Sequence, residues 1–100
     1  MGSSVVRVIS HRAIVEAARR HPDAGAGLDN WYRITRRAHW RHLADTKRDF
    51  AHADQVGDST VFNIKGNQYR LIARIIYVTQ KVFVRRILTH AEYDKGGWRE

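Results

Sequence analysis

The chain has 100 residues and no cysteine, and 43% of its residues are hydrophobic and 28% charged. The lack of cysteine excludes disulfides and thiol catalysis. No apolar run reaches roughly 18 residues, which excludes a transmembrane helix. We expect one cytoplasmic domain over residues 1–100. The formal net charge of +8 favours a nucleic acid as partner, while an anionic membrane or an acidic protein stays open as an alternative.

The first predicted element is a short β-branched strand, "VVRVI", at residues 5–9. We take the preceding "MGSS" (residues 1–4) as either disordered or a cloning remnant, outside the fold. Ser10 is expected to cap the helix that follows. That helix should end near His21, because the residue before Pro22 is disfavoured in the helical conformation.

A second helix is predicted after Pro22, which suits a first helical position. Its apolar side fits Leu28, Trp31, Tyr32, Ile34, Thr35 and Ala38, and its basic side carries Arg33, Arg36, Arg37 and Arg41. Arg33 and Arg37 are candidate RNA contacts, with a partner surface or a merely solvated face as the alternatives. Residues 42–50 predict a shorter third helix, and residues 51–59 predict a loop.

Three strands follow, at residues 60–65, 68–78 and 81–88. Gly66-Asn67 predicts a two-residue hairpin between the first two strands, and Thr79-Gln80 predicts a turn before the last. The order of an N-terminal strand, two to three helices and a strand meander predicts an α+β fold. In it, the helices pack on one face of a mostly antiparallel sheet.

Side chains alternate between the two faces of a strand, so parity assigns each strand residue to a face. The core face receives Phe62, Ile64, Tyr69, Leu71, Ala73, Ile75, Tyr77, Val82, Val84 and Leu88. The opposite face receives Asn63, Lys65, Arg70, Arg74, Lys81, Phe83, Arg85 and Ile87. Arg86 falls on the core side, which an edge position or a bulge would explain.

The hairpin places Asn63 opposite Arg70. One register consistent with the parity also places Arg74 opposite Arg85. Like charges that face each other across strands are destabilising, so we expect an anion between these two arginines, and no carboxylate on the strands can supply it. The structural alternative is an ordinary solvated sheet face.

The last strand runs into "THAEYDK", which sets His90, Glu92, Tyr93 and Asp94 within five positions. Histidine titrates near neutrality, tyrosine can donate a proton and arginine binds phosphate. These residue types suit RNA cleavage through the 2′-hydroxyl, which needs a base, an acid and cations but no metal or cofactor. A short helix with Glu92 and Asp94 in its first turn is the structural alternative.

Histidines and an aspartate also gather in the middle of the chain, at His39, His42, Asp49 and His52. No HExxH or other dense ligand pattern completes this group. We therefore expect no metal site.

The segments "FNIKGNQYRL", "QKVFVRR" and "THAEYDK", after a "WY…W" helix and an opening "RVISHRA", resemble the HigB-type toxins of bacterial toxin–antitoxin pairs. The resemblance extends from about Val6 to Lys95. It implies a RelE-like α+β fold and an mRNA interferase that acts on translated mRNA in the ribosome. It also implies a cognate helix-turn-helix antitoxin of the HigA type, through which alone the toxin meets operator DNA, and no membrane partner.

The family pattern falls on Asn63, Gly66, Asn67, Arg70, Lys81, Arg85, Thr89, His90, Glu92 and Tyr93. The expected catalytic residues are His90, Tyr93, Arg70, Arg85 and Lys81. The expected RNA contacts are Lys65, Asn63, Arg74, Arg33 and Arg37. Asn67 is assigned to the turn, and Glu92 to capping or orienting a neighbour. A non-catalytic RNA- or ribosome-binding module and a toxin of the same fold that poisons DNA gyrase are the functional alternatives.

Overall fold

Four α-helices and one five-stranded sheet make up residues 5–99, the part of the chain that a computed structural model describes. The elements are β1 (Arg7–Ile9), α1 (His11–Arg20), α2 (Gly25–Arg36), α3 (Leu43–Asp49), β2 (Asp54–Val56), β3 (Ser59–Ile64), β4 (Tyr69–Ile76), β5 (Lys81–Thr89) and α4 (His90–Lys95). The strand order is β1-β5-β4-β3-β2, with β1 parallel to β5 and all other pairs antiparallel. The predicted α+β class is confirmed, and the expectation for residues 1–4 lies outside the described residues.

The core lies between the sheet and the first three helices. Leu28 and Trp31 of α2 are 0% and 1% exposed, and the Trp31 ring lies 5.4 Å from the ring of Phe62 on β3. Trp40, just before α3, stacks on the other side of this cluster at 6.3 Å from Phe62. Burial of these large rings contributes strongly to the hydrophobic stabilisation of the domain. The predicted apolar side of α2 is confirmed, and Arg33 and Arg37 are exposed.

Three local predictions at the ends of elements are wrong. The Ser10 side chain makes no capping hydrogen bond, because its backbone is left-handed (φ 74°) and only its carbonyl accepts from the helix, at Ala13 N–H. Pro22 opens a 3₁₀ turn, Pro22–Ala24, and α2 begins only at Gly25. The predicted loop 51–59 contains β2, which pairs with β3 across a turn at Gly57. The short, polar β2 has no apolar alternation that would reveal it.

The hairpin between β3 and β4 has the predicted register but a shorter strand ladder. Asn63 lies opposite Arg70, as predicted, and Ile64 opposite Tyr69 is the last ladder pair before the turn. The turn therefore covers four residues, 65–68, with Lys65 and Gly66 in the left-handed region at φ 53° and 63°. Gln68 N–H donates to the Lys65 carbonyl at 3.2 Å, so the turn closes over Gly66 and Asn67 as predicted, although the strand ladder ends one pair earlier.

A β-bulge in β5 changes the composition of the two sheet faces. Ile72 pairs with Arg86, but Ala73 pairs with Val84, so Arg85 is an extra residue between them. A bulge places two residues of one strand against one of its partner and reverses the alternation beyond it.

The bulge explains Arg86 and overturns two predicted positions. Leu88 lies opposite Arg70 on the face away from the helices, and Ile87 lies opposite Leu71 against the core. The predicted pairing of Arg74 with Arg85 is also wrong, because Arg74 faces Phe83. We call the sheet surface away from the helices, which carries Arg70, Arg74, Lys81, Phe83, Arg86 and Leu88, the open face.

Candidate active site

The capped start of α4 positions the titratable groups of the C-terminal segment. The Thr89 hydroxyl accepts from Glu92 N–H at 3.2 Å, and the Glu92 carboxylate accepts from Thr89 N–H at 2.9 Å. This reciprocal capping box fixes the direction of the helix at the end of β5. The same backbone hydrogen bond lowers the pKa of Glu92. The capping role predicted for Glu92 is confirmed, and His90 becomes the first residue of α4.

Arg70 is the central residue of the site and is only 9% exposed. Its Nη1 donates to the carbonyls of Asn67 and Tyr69 at 2.9 and 3.3 Å. Its Nη2 donates to the Asn67 side-chain oxygen and lies 3.2 Å from Nδ1 of His90. The guanidinium thus joins the β3–β4 turn to the start of α4, and all four of its Nη hydrogens have partners.

The hydrogen bonds of His90 assign its tautomer. A guanidinium can only donate, so Nδ1 of His90 must accept from Arg70 and carries no proton. The other nitrogen, Nε2, lies 2.9 Å from the Asp94 carboxylate and donates to it. Asp94 is one helical turn after His90, so α4 itself brings the two groups together. A histidine held in this way has one nitrogen, Nδ1, that can accept a proton once Arg70 moves away from it.

Tyr93 forms the remaining wall of the site. The Arg70 guanidinium lies over its ring, 5.4 Å from the centroid, which is a favourable cation–π arrangement. Trp98 stacks on the same ring at 5.0 Å, and the Trp98 indole donates to the Tyr93 carbonyl at 3.0 Å. No hydrogen bond to the Tyr93 hydroxyl is formed by any other residue between 5 and 99. The phenol is therefore held by its ring while its hydroxyl remains available.

Arg74 on the open face and Arg85 at the bulge form a second cationic group. Both guanidinia approach the carboxylate of Asp58, at 3.4 and 3.7 Å, and Arg85 also reaches the Ser59 hydroxyl at 3.5 Å. Asp58 lies in the β2–β3 turn, so the anion expected between the two arginines comes from outside the three strands considered. All three side chains are at least half exposed, and such a pair contributes at most about 1 kcal/mol. An incoming phosphate can displace Asp58 at little energetic cost.

The structure separates two of the predicted residues, Lys65 and Arg33, from this site. Lys65 does not lie on the open face, because its ammonium pairs with Asp23 on the helix side at 2.9 Å. Hydrogen bonds from Lys65 and from the Tyr69 hydroxyl lower the pKa of Asp23, and the bond to the Asp23 carboxylate raises the pKa of Tyr69. Arg33 pairs with Asp29 on α2, in the helical layer.

Two further predicted residues, Arg37 and Lys81, also lie apart from His90. Arg37 is exposed just after the end of α2. Lys81 opens β5, seven residues before the Leu88 that faces Arg70, which corresponds to roughly 20–25 Å along the strand. Asn63, by contrast, lies directly beside Arg70.

Several residues in or near the site were not predicted as functional. Asn67 was assigned to the turn, but its side chain also accepts from Arg70. Arg86 lies opposite Ile72 on the open face, two residues along the strands from the pair of Arg70 and Leu88. It is exposed and forms no ion pair within residues 5–99. Asp94 carried a sequence signal in its i, i+4 spacing from His90, whereas Trp98 carried none.

The histidine group in the middle of the chain does not converge. Asp49 accepts from the Trp40 indole at 2.8 Å, and His42 faces Asp45 instead. Across residues 5–99, no three histidines or carboxylates come together in a way that could hold a metal ion. The same stretch contains no helix with the length and apolarity needed to cross a membrane.

Comparison with known proteins gives one consistent result. The sequence model of the HigB toxin family, described as the RelE-like toxic component of a toxin–antitoxin system, matches residues 24–96. A protein named mRNA interferase HigB from Escherichia coli O6:H1 is 30% identical over 93 residues, which cover 90% of each chain. Another of that name from Shigella flexneri is 26% identical over 92 residues, covering 89% of this chain and 88% of its own.

Proposed function

We propose, from the premise that this chain belongs to the HigB family of RelE-like toxins, that it is an endoribonuclease that cleaves mRNA. Its relatives carry the name mRNA interferase. One contact assigns the proposed activity to particular residues. Nη2 of Arg70 lies 3.2 Å from Nδ1 of His90, beside the free hydroxyl of Tyr93. This arrangement combines a base, an acid and a cation at one end of a basic sheet face.

The proposed reaction uses the nucleophile that RNA itself provides. The 2′-oxygen attacks the adjacent phosphorus, the bond from phosphorus to the 5′-oxygen breaks, and the products are a 2′,3′-cyclic phosphate and a 5′-hydroxyl. His90 Nδ1 takes the proton of the 2′-hydroxyl, and the Tyr93 hydroxyl protonates the departing 5′-oxygen. Both transfers take place within the protein's own side chains, so the step requires no metal or cofactor.

In the free protein, Nδ1 of His90 is occupied by Arg70, and this contact gives Arg70 a double role. A phosphate that binds beside His90 offers oxygens that attract the guanidinium more strongly than a neutral imidazole does. When Nη2 turns to the phosphate, Nδ1 is released for the 2′-hydroxyl. Arg70 therefore positions His90 before the substrate binds and stabilises the charge on phosphorus afterwards.

The RNA backbone follows the open face beyond His90. Arg85 and Arg74 hold the next phosphates after displacement from Asp58. The unpaired Arg86 lies between them and Arg70, and Asn63 lies directly beside Arg70. Charge-assisted contacts of this kind position the chain without reading its sequence. Selection of the cleavage point then depends on the context in which mRNA is presented, for which we propose the translating ribosome.

As the toxic component of a toxin–antitoxin system, the chain has an antitoxin as partner. We assign this role to a helix-turn-helix protein of the HigA type in the same cytoplasm. The toxin would then approach operator DNA only as part of that complex.

The test is mRNA cleavage in a cell-free translation extract, with cut sites mapped and end groups determined. His90→Ala is compared with His52→Ala, a matched control because His52 is exposed in the segment after α3. We expect codon-phased cuts with 2′,3′-cyclic phosphate ends for the wild type and the control, and none for His90→Ala. Intact mRNA with bound wild-type protein would reduce the activity to RNA or ribosome binding. Cuts that leave a 3′-hydroxyl and a 5′-phosphate would refute the mechanism, because attack by the 2′-oxygen cannot produce them.

A further inference from the structure

A second basic site lies far from His90, in a cleft beside the outer strand β1. The cleft has a volume of about 620 Å³, and its walls include Val5, Arg7, Tyr32, Arg36, Gln80 and Lys81. Three of these residues are cations contributed by β1, the end of α2 and the start of β5. No carboxylate lines the cleft. A concave surface with cations and no acidic residue is suited to an anionic ligand.

The cations of the cleft are arranged unfavourably unless an anion joins them. Arg7 lies directly opposite Lys81 in the parallel pairing of β1 and β5, so both side chains extend from the same face. Like charges in this position repel each other. Elsewhere, many arginines have carboxylate partners, as in the pairs Arg12–Glu16, Arg33–Asp29 and Arg74–Asp58. Within residues 5–99, neither Arg7, Arg36 nor Lys81 has an ion pair.

An aromatic ring holds the third cation at the wall of the cleft. The Arg36 guanidinium lies 5.6 Å from the ring centroid of Tyr32. The Tyr32 ring in turn stacks on His11 at 4.2 Å. The stack restricts the arginine side chain, so less conformational entropy is lost when it binds an anion.

We propose that this cleft binds the phosphodiester backbone of RNA at a point remote from the cleaved bond. The open face connects the two sites, because β5 carries Lys81 at the cleft and then Arg85 and Arg86 on the way to Arg70. A regularly spaced polyanion fits such a linear track better than a compact anion does. The inference rests on the proposed function for the identity of the polymer. Because the cleft lies roughly 20–25 Å from His90 along β5, it contributes to binding and not to the chemical step.

The test measures binding separately from cleavage. The probe is a 2′-O-methyl RNA long enough to reach from the cleft to His90. This RNA lacks the attacking hydroxyl and cannot be cut. The variant combines Arg7→Gln, Arg36→Gln and Lys81→Gln. The matched control combines Arg12→Gln, Arg19→Gln and Lys47→Gln, which removes the same charge from exposed helix positions. Circular dichroism and thermal melting verify that both proteins are folded.

The plot of the logarithm of the RNA association constant against the logarithm of the salt concentration has a negative slope. Loss of three phosphate contacts should make this slope shallower by about 2 and weaken binding about 10- to 100-fold near 0.1 M salt. The control should retain most of the affinity, and a short RNA confined to the His90 end should bind the cleft variant and the wild type alike. On cleavable long RNA, the cleft variant should raise KM and leave kcat unchanged.

Equal losses in the variant and the control would overturn the inference, since the effect would then be one of net charge. The inference would also be overturned if polyglutamate bound through the same three residues as tightly as RNA does, because the cleft would then fit an acidic protein. Failure of the nuclease function gives a different result. In that case the wild type would never cleave translated mRNA, while the cleft variant would still lose affinity for the uncleavable probe.

Discussion

Replacement of His90 by alanine tests the chemistry most directly. The change removes Nδ1, which accepts from Arg70 at 3.2 Å, and Nε2, which donates to Asp94 at 2.9 Å. Loss of a proton-transfer group typically lowers the rate about 10²- to 10⁴-fold, and we expect a decrease of kcat in this range. The fold should tolerate the change, because the His90 side chain is 46% exposed.

Replacement of Asp94 by asparagine supplies the comparison. Asp94 acts only through His90, and the side chains of the pair are 46% and 59% exposed. A contact this exposed between the imidazole and the carboxylate contributes at most about 1 kcal/mol, which corresponds to about a fivefold change in rate. An asparagine can still accept from Nε2, so the imidazole keeps its orientation. We therefore expect Asp94→Asn to retain at least tenfold more activity than His90→Ala.

The assay is single-turnover cleavage of mRNA on stalled ribosomes, followed by primer extension. A loss below tenfold in His90→Ala would refute the assignment of His90 as a proton-transfer group. Equal losses in the two variants would refute the view that Asp94 only orients His90. Retained activity in His52→Ala would show that the loss in His90→Ala is not a general effect of removing a histidine from this basic protein.

Three further predictions concern stability and can be checked by urea unfolding. Thr89→Ala removes the hydroxyl that accepts from Glu92 N–H, and we expect a loss of about 0.5–2 kcal/mol. Leu71→Ala empties a position that is 0% exposed and should cost about 2–5 kcal/mol, whereas Val78→Ala, at a residue 94% exposed, should change stability by less than about 0.5 kcal/mol. The backbone N–H of Arg41 lowers the pKa of Asp45, so the stabilisation from this carboxylate is complete above its unfolded pKa and is lost as the pH falls through the lower folded value. Asp45→Asn should therefore flatten the dependence of unfolding free energy on pH below about pH 4.

Each of these predictions has an outcome that contradicts it. Unchanged stability in Thr89→Ala would show that the capping box does not hold α4 in solution. Equal effects at the Leu71 and Val78 positions would contradict the assigned core. Parallel pH curves for Asp45→Asn and the wild type would mean that this carboxylate keeps its unfolded pKa.

The sequence was sufficient for the fold class and for most elements because local patterns determine them. Apolar periodicity predicted α2, and β-branched runs predicted β1, β3, β4 and β5. It was insufficient for β2, since this strand is specified by pairing with β3 and not by its own residues. The Ser10 cap failed because Ser10 has a left-handed backbone, which its residue type did not reveal, and its side chain makes no capping hydrogen bond.

For the candidate site, the sequence by itself determined the supply of groups: a strand meander rich in arginine that ends in a histidine and a tyrosine. Only the tertiary structure decided which of them meet. Arg70 and His90 are 20 residues apart and come together because β4 and β5 pair with Tyr69 opposite Thr89. The bulge at Arg85 shifts every later residue of β5 by one position, so that Arg86 joins the open face. Lys81 precedes the bulge and lies at the distant cleft. Parity in the sequence signalled an irregularity, because Arg86 fell on the core side, but it could not locate the inserted residue, which is defined by hydrogen bonding between the strands.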